Sequence, residues 1–147
     1  MKKRIAVGCD PNAADLKRIL VDDLRSAGCE VTDYGSEDAI YANVAIEVAE
    51  GVAAGRHDRG LLVCGTGIGM SISANKVKGA YAALVSDAYS AERSVMSNNA
   101  NIMCMGAFTV GREVARKCLQ VWLDAEFDQE SRSAPKVQRY RDYDQAR

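Results

Sequence analysis

The sequence predicts a three-layer α/β/α sandwich. About five mostly parallel strands lie between two layers of helices, and a helical tail closes the C-terminus. Three observations lead there. Short apolar runs alternate with segments whose apolar residues recur every three or four positions. Those runs are apolar along their whole length, as strands covered on both faces of a parallel sheet are. Finally, 147 residues, 48% of them apolar, suit one domain with a core of its own, spanning residues 1–147.

Ile5 to Cys9 reads as a buried strand ending at a turn. Leu16, Ile19, Leu20, Leu24 and Ala27 then share one helix face, and Gly28 stops that helix. Cys29 to Tyr34 is a weaker second strand, closed by Gly35. Val44, Ala45, Val48, Ala49 and Val52 mark the next helix, with Gly55 after it. Gly60 to Cys64 is the clearest strand; it enters Gly65-Thr66-Gly67-Ile68-Gly69, and a short helix follows through Ala74. Ala80 to Val85 is a fourth strand, Ala88 to Ser97 a helix, and Ile102 to Met105 a fifth strand. Val114, Cys118, Val121 and Trp122 mark the helix after it. From Asp128 onward the chain is polar and charged, and Pro135 starts a last helix, expected to dock on a partner subunit rather than enter the core.

Composition excludes several classes of function. Nineteen Lys and Arg against twenty Asp and Glu leave a net charge of −1, with no one-signed field for nucleic acid or an anionic membrane. No apolar run reaches the roughly 20 residues that span a bilayer. The apolar stretch behind Met1-Lys2-Lys3-Arg4 is too short for a signal-peptide core, so a cytoplasmic protein is expected. Five cysteines, with no Cys-x-x-Cys pair, argue against a disulfide framework or a zinc site. The single histidine, His57, falls in a polar connection from helix to strand, on the rim away from any ligand.

In open parallel sheets ligands bind beyond the carboxyl ends of the strands. Three segments meet that condition: Cys9 to Asn12, Cys64 to Gly69, and Ser86 to Tyr89. The second carries the strongest signal. Its alternating glycines let the backbone approach a ligand, and successive amides there form a nest for a phosphate or an oxyanion. Cys64 stands at the lip of that nest, where amides favour a thiolate, a base or a nucleophile. Glycine-rich turns also arise for geometric reasons alone, and an inert buried Cys64 is the competing interpretation. The spacing is neither the dinucleotide fingerprint nor a Walker loop. Asp10 either contacts a ligand hydroxyl or caps the following turn. Turn propensity alone accounts for Asn98-Asn99-Ala100-Asn101. Arg132 and Lys136, four apart, share a helix face that suits an anion or plain solvent.

The run Leu62 to Lys76 closely resembles the ribose-5-phosphate isomerase B / galactose-6-phosphate isomerase family, as do Gly8-Cys9-Asp10, Asp87 to Ala91, Asn98 to Gly106, and Trp122-Leu123 with Glu126-Phe127. The similarity covers roughly residues 3 to 140. It implies a Rossmann-like subunit, working as a dimer or a tetramer with active sites shared between subunits. It implies isomerisation of a phosphorylated sugar without metal or organic cofactor. By that resemblance Cys64 moves a proton between C1 and C2 through a cis-enediol, Thr66 assists with its hydroxyl, and the backbone of Gly65, Gly67, Ile68 and Gly69 holds the enediolate. Asp10, Pro11, Tyr41, Ser97 and Asn98 fall at substrate-binding positions, and Arg132 and Lys136 at the phosphate.

The chain also departs from the family pattern. Pro11, Ser97 and Ser133 stand where members carry histidine, Phe108 where they carry an arginine, and Lys136 where they carry a second tail arginine. The change at Ser97 has a chemical meaning. Ribose 5-phosphate is mostly a closed ring whose oxygen must be protonated to open it, and a serine hydroxyl is too weak an acid for that task. A tetrose 4-phosphate has its O4 esterified and cannot close a furanose. An acyclic four-carbon substrate, erythrulose 4-phosphate with erythrose 4-phosphate, is therefore expected. Ribose 5-phosphate, a subunit role in a hexose-6-phosphate isomerase, and a non-catalytic sugar-phosphate-binding module are the alternatives.

Overall fold

The computed structural model describes residues 2–147. Five strands, β1 (Arg4–Cys9), β2 (Glu30–Asp33), β3 (Arg59–Cys64), β4 (Ala82–Leu84) and β5 (Ile102–Gly106), pair in the order β2-β1-β3-β5-β4. Every pairing is parallel. The helices are α1 (Ala14–Ser26), α2 (Tyr41–Ala53), α3 (Ile68–Ala74), α4 (Ala88–Met96), α5 (Arg112–Asp124) and α6 (Ala134–Ala146). The expected α/β/α sandwich is what forms. Among the described residues no helix is long and apolar enough to cross a membrane.

Alternation along the central strands sorts the side chains into two cores. Ile5, Val7, Leu61, Val63, Met103 and Met105 face α1, α4 and α5. Ala6, Leu62, Cys64, Ile102 and Cys104 face α2 and α3. Cys64 thus ends the middle strand pointing into the α2/α3 layer. The edge strands are shorter or more exposed than the central ones. β4 covers only three residues of the expected six; the Tyr81 N–H just before it is taken by Asn101 Oδ1 at 2.8 Å, and Asn75 occupies its free edge. The Asn75 amide donates to Ala82 O at 2.9 Å and accepts from Ala82 N at 2.8 Å, imitating one rung of a further strand.

The tail is anchored on its own chain. Val137 is buried, Tyr140 Oη donates to Asn98 O, and Arg141 donates to Asn99 O at 3.3 Å. The Asp144 carboxylate accepts from Gly79 N at 2.8 Å and from Tyr81 Oη at 2.7 Å. All of these partners lie at the amino ends of β4 and β5, so α6 straps the rim opposite Cys64.

His57 lies on that same opposite rim. It is 8% exposed and packed against Gly51, with Nε2 2.7 Å from the Tyr34 hydroxyl. Burial, and then Arg56 and Arg4, push its pKa below the ordinary 6.5. Between the lowered folded value and 6.5 the unfolded chain binds more protons, so stability falls as pH drops through about 6.5 and levels off below the folded value. Asp58, held below the carboxylate range by its bonds to Arg4, loses its contribution only in stronger acid. Thermal unfolding followed from pH 7.5 to 5.5 is expected to show a decline that His57→Gln flattens; parallel curves for the two proteins would remove His57 as its source.

Candidate active site

The turn after β3 is built by close packing. Cys64 pairs with Gly106 across the sheet and is 5% exposed. Gly67 takes φ +79°, a left-handed conformation that β-carbons resist. A Cβ on Gly67 would lie 2.9 Å from the Met105 carbonyl carbon, and one on Gly106 2.6 Å from the Thr66 backbone. One on Gly69 would lie 2.3 Å from the Tyr41 ring carbons Cε1 and Cζ. With this fit the Gly67 N–H donates to Cys64 Sγ at 3.1 Å. The Ile68 N–H donates to Thr66 Oγ1 at 3.3 Å, which holds that exposed hydroxyl at the lip.

An amide hydrogen aimed at sulfur complements negative charge there. Burial pushes Cys9 up to about 11, and burial likewise raises Cys29, Cys104 and Cys118. These four are packing residues, as most of the thiols were expected to be.

Asp10 follows β1, and its N–H reaches Val63 O at 3.3 Å. Since Cys9 pairs with Val63, Asp10 stands level with Cys64, about 4.8 Å across the sheet. Its carboxylate accepts from Asn12 N at 3.1 Å and caps the turn Pro11–Ala13. Both expectations for Asp10 are therefore compatible: it caps, and it stands on the ligand-side rim. Pro11 is exposed beside it, and Tyr41 opens α2 over Gly69. Asp10, Pro11, Tyr41 and Cys64 to Gly69 accordingly share the carboxyl rim.

Ser97, Asn98, Arg132 and Lys136 do not join them. Asn101 O accepts from Gly60 N, four residues back along β3 from Cys64, or about 13 Å at the rise of a strand. Asn98 lies before Asn101, and Arg132 and Lys136 ride at the start of the α6 strap. The candidate residues thus form two groups at opposite rims of one sheet.

Asp87 is bound as a helix cap. It accepts from Ser90 N at 2.7 Å and from Ser90 Oγ at 2.8 Å. Those bonds hold its carboxyl below the ordinary range, so it remains an anion and makes a poor proton donor for ring opening. Two grooves open elsewhere on the chain. One, between α1 and α5, is lined by Asp23, Arg116, Lys117 and Leu119, and another at the amino rim by Arg59 and Asn101. Among the described residues no three His, Cys, Asp or Glu side chains converge to hold a metal ion.

One further rim residue stands out in the sequence only as a missing cation. Phe108, in the turn after β5, lays its ring on Gly65 and remains 73% exposed. The signal available for it was a large apolar residue placed directly behind a strand end.

Comparison with known proteins places this geometry in context. The family described as Ribose/Galactose Isomerase matches residues 5–140. A D-erythrulose-4-phosphate isomerase of Pectobacterium atrosepticum is 48% identical over 139 residues, covering 92% of this chain and 91% of its own. A ribose-5-P isomerase B of Listeria innocua is 45% identical, covering 97% of each chain. The type B ribose 5-phosphate isomerase structure from Trypanosoma cruzi superimposes with a TM-score of 0.93 at 38% identity, covering 99% of both chains.

Gly67→Ala tests the turn. Strain at φ +79° and the contact with β5 should displace the amide from the sulfur. Steady-state turnover is expected to drop about 100- to 1000-fold with native circular dichroism, the usual effect of losing one preorganised donor. Turnover within threefold of wild type would show that the turn's geometry is dispensable.

Proposed function

The chain belongs to the ribose/galactose isomerase family and is a sugar-phosphate aldose–ketose isomerase, and on that basis we propose that it interconverts D-erythrulose 4-phosphate and its aldose by proton transfer at Cys64. The observation that carries the substrate assignment is the absence of imidazole from the sugar-handling positions. Ser97 stands beside Asn98, and the one histidine is buried under Tyr34 at the amino rim. A ring-opening acid is superfluous for an acyclic tetrose phosphate. The name carried by the Pectobacterium relative supports the same choice. Ribose 5-phosphate is the second reading, favoured by the 45% identity to the Listeria protein.

The proposed chemistry balances without a cofactor. The Cys64 thiolate takes a proton from C1; the C–H electron pair forms the C1–C2 double bond, and the C2 carbonyl oxygen becomes the enediolate. Amides of the Gly65–Gly69 turn receive that negative charge. The thiol then returns the proton to C2. Thr66 Oγ1, at the lip, relays the hydroxyl proton from O1 to O2, so that C1 becomes the aldehyde. Asp10 and Tyr41 hold sugar oxygens from the same rim.

The phosphate grip comes from a second copy in this proposal. Asn98, Arg132 and Lys136 lie on the far rim of their own sheet, too distant to serve the adjacent Cys64 turn. Around that turn Ile40, Ile68, Ile72 and Phe108 are more than half exposed, an apolar collar of the kind a partner covers. A symmetric dimer would cover it and place one chain's tail at the other's turn. We place the enzyme in the cytoplasm, where unpaired thiols persist and phosphorylated sugars are retained.

Two experiments bear on this. Purified protein offered tetrose, pentose and hexose phosphates should favour D-erythrulose 4-phosphate in kcat/KM; equal or better turnover of ribose 5-phosphate would end the acyclic-substrate assignment. Cys64→Ala and Lys136→Ala should each be inactive alone. Unfolded and refolded together they should regain about a quarter of wild-type activity, the statistical share of intact sites in a symmetric dimer. No recovery in dimers shown to have mixed would place both residues in one subunit's site.

A further inference from the structure

The last carbonyls of a helix have no partner within it and must find one elsewhere. Helix α4 runs out in Ser97 and Asn98, whose N–H groups both reach back to Arg93 O, at 2.9 and 3.2 Å. Asn99 then takes φ +51°, and among the described residues it is the one non-glycine in the left-handed region. The carbonyls of this turn are claimed by α6. Tyr140 Oη donates to Asn98 O, and Arg141 Nη2 donates to Asn99 O at 3.3 Å. The Asn98 side chain remains exposed.

The two donors are themselves held in place. The Tyr81 ring lies 5.9 Å from that of Tyr140 and 4.6 Å from the Arg141 guanidinium, which stands over it. Tyr81 Oη is bound to Asp144 at 2.7 Å, and Tyr81 N to Asn101 Oδ1 at 2.8 Å. Partial burial raises the Tyr140 phenol above its ordinary range, so its hydroxyl stays a donor throughout the neutral range. Arg141 brings a cation to the end of α4, where the helix dipole favours one. Lys136 lies four residues before Tyr140, on the same face of α6 and about 6 Å along its axis.

We infer that Tyr140, seconded by Arg141, is a positioning residue: through the Asn98 carbonyl it sets the spacing between Asn98, which holds a sugar oxygen, and Lys136, which holds the phosphate. This rests on the proposed placement of Asn98 and Lys136 of one copy at the Cys64 turn of the other. The two side chains belong to different elements, so contacts between those elements set their spacing. The Tyr140 bond is the one made at Asn98 itself. A sugar phosphate must satisfy both ligands at once. An error in their spacing therefore costs it affinity and alignment of the reacting carbons. Inorganic phosphate needs only the tail cations and is indifferent to that spacing.

The test uses the full chain in its assembled state, the sugar phosphate that the wild type turns over best, and inorganic phosphate as a competitive inhibitor. Tyr140→Phe keeps the ring beside Tyr81 and removes only the donor. Its kcat/KM should fall about tenfold or more, within the loss that misplacing a positioning group causes. Its Ki for inorganic phosphate and its molar mass by light scattering should match the wild type. Arg141→Met, which releases Asn99 O, should give the same split between KM and Ki. In an Asn98→Ala background Tyr140→Phe should have no further effect, because the two act through one contact. A loss below about threefold in both Tyr140→Phe and Arg141→Met would overturn the inference, and so would a full effect of Tyr140→Phe in the Asn98→Ala background. Parallel rises in KM and Ki would also overturn it, by making the tyrosine an anchor of α6 alone. Failure of the underlying placement reads differently: Asn98→Ala would itself keep wild-type kcat/KM, removing Asn98 from the site and the inference with it.

Discussion

A single amide-to-sulfur contact organises the carboxyl rim. For the Gly67 N–H to reach Cys64 Sγ at 3.1 Å, the chain must reverse within three residues of a strand end, and Gly67 must take φ +79°. That reversal presses the turn against β5 so closely that Gly67 and Gly106 have no room for a side chain. The same fit brings Gly65 under Phe108 and Gly69 under Tyr41. The four glycines are thus consequences of one demand: backbone hydrogens must surround a sulfur at the end of a buried strand.

The sheet imposes the second constraint. Residues that end a parallel strand and residues that begin one lie at opposite rims, so no single chain of this fold can bring Asn98 to Cys64. The α6 strap reinforces the separation, because Tyr140, Arg141 and Asp144 bind it to the amino rim. Each subunit carries one rim's worth of chemistry at either end. The proposed shared site follows from that separation, and the exposed collar of Ile40, Ile68, Ile72 and Phe108 lies around the turn that such a site would use.

The central strands were legible in the sequence because β1, β3 and β5 are buried on both faces and read as unbroken apolar runs. The edges were less so; β4 is only three residues long, and the side chains of Asn75 and Asn101 take up backbone groups at its start, which no apolar pattern records. The turn at Cys64 was legible through its glycines, although only coordinates show which neighbour each glycine admits. The division of the site could have been anticipated, since Asp10 and Cys64 end their strands while Asn98 precedes its own. Motif matching treats all of these as equal members of one site and passes over that direction. Phe108 was visible only as an absence of charge, because a ring's seat on a glycine depends on a turn whose shape sequence does not specify.

The most direct measurement is the exchange of substrate carbon-bound hydrogen with deuterated water, followed by NMR in wild type and in Cys64→Ala. Proton transfer through the thiol predicts deuterium at the isomerised position of the wild-type product wherever the captured proton exchanges with solvent before it is returned to C2. It also requires that incorporation fall at least about 100-fold in the alanine variant, the lower end of what a positioned general base contributes. Undiminished incorporation in a folded, dimeric Cys64→Ala protein would show that some other group carries the proton.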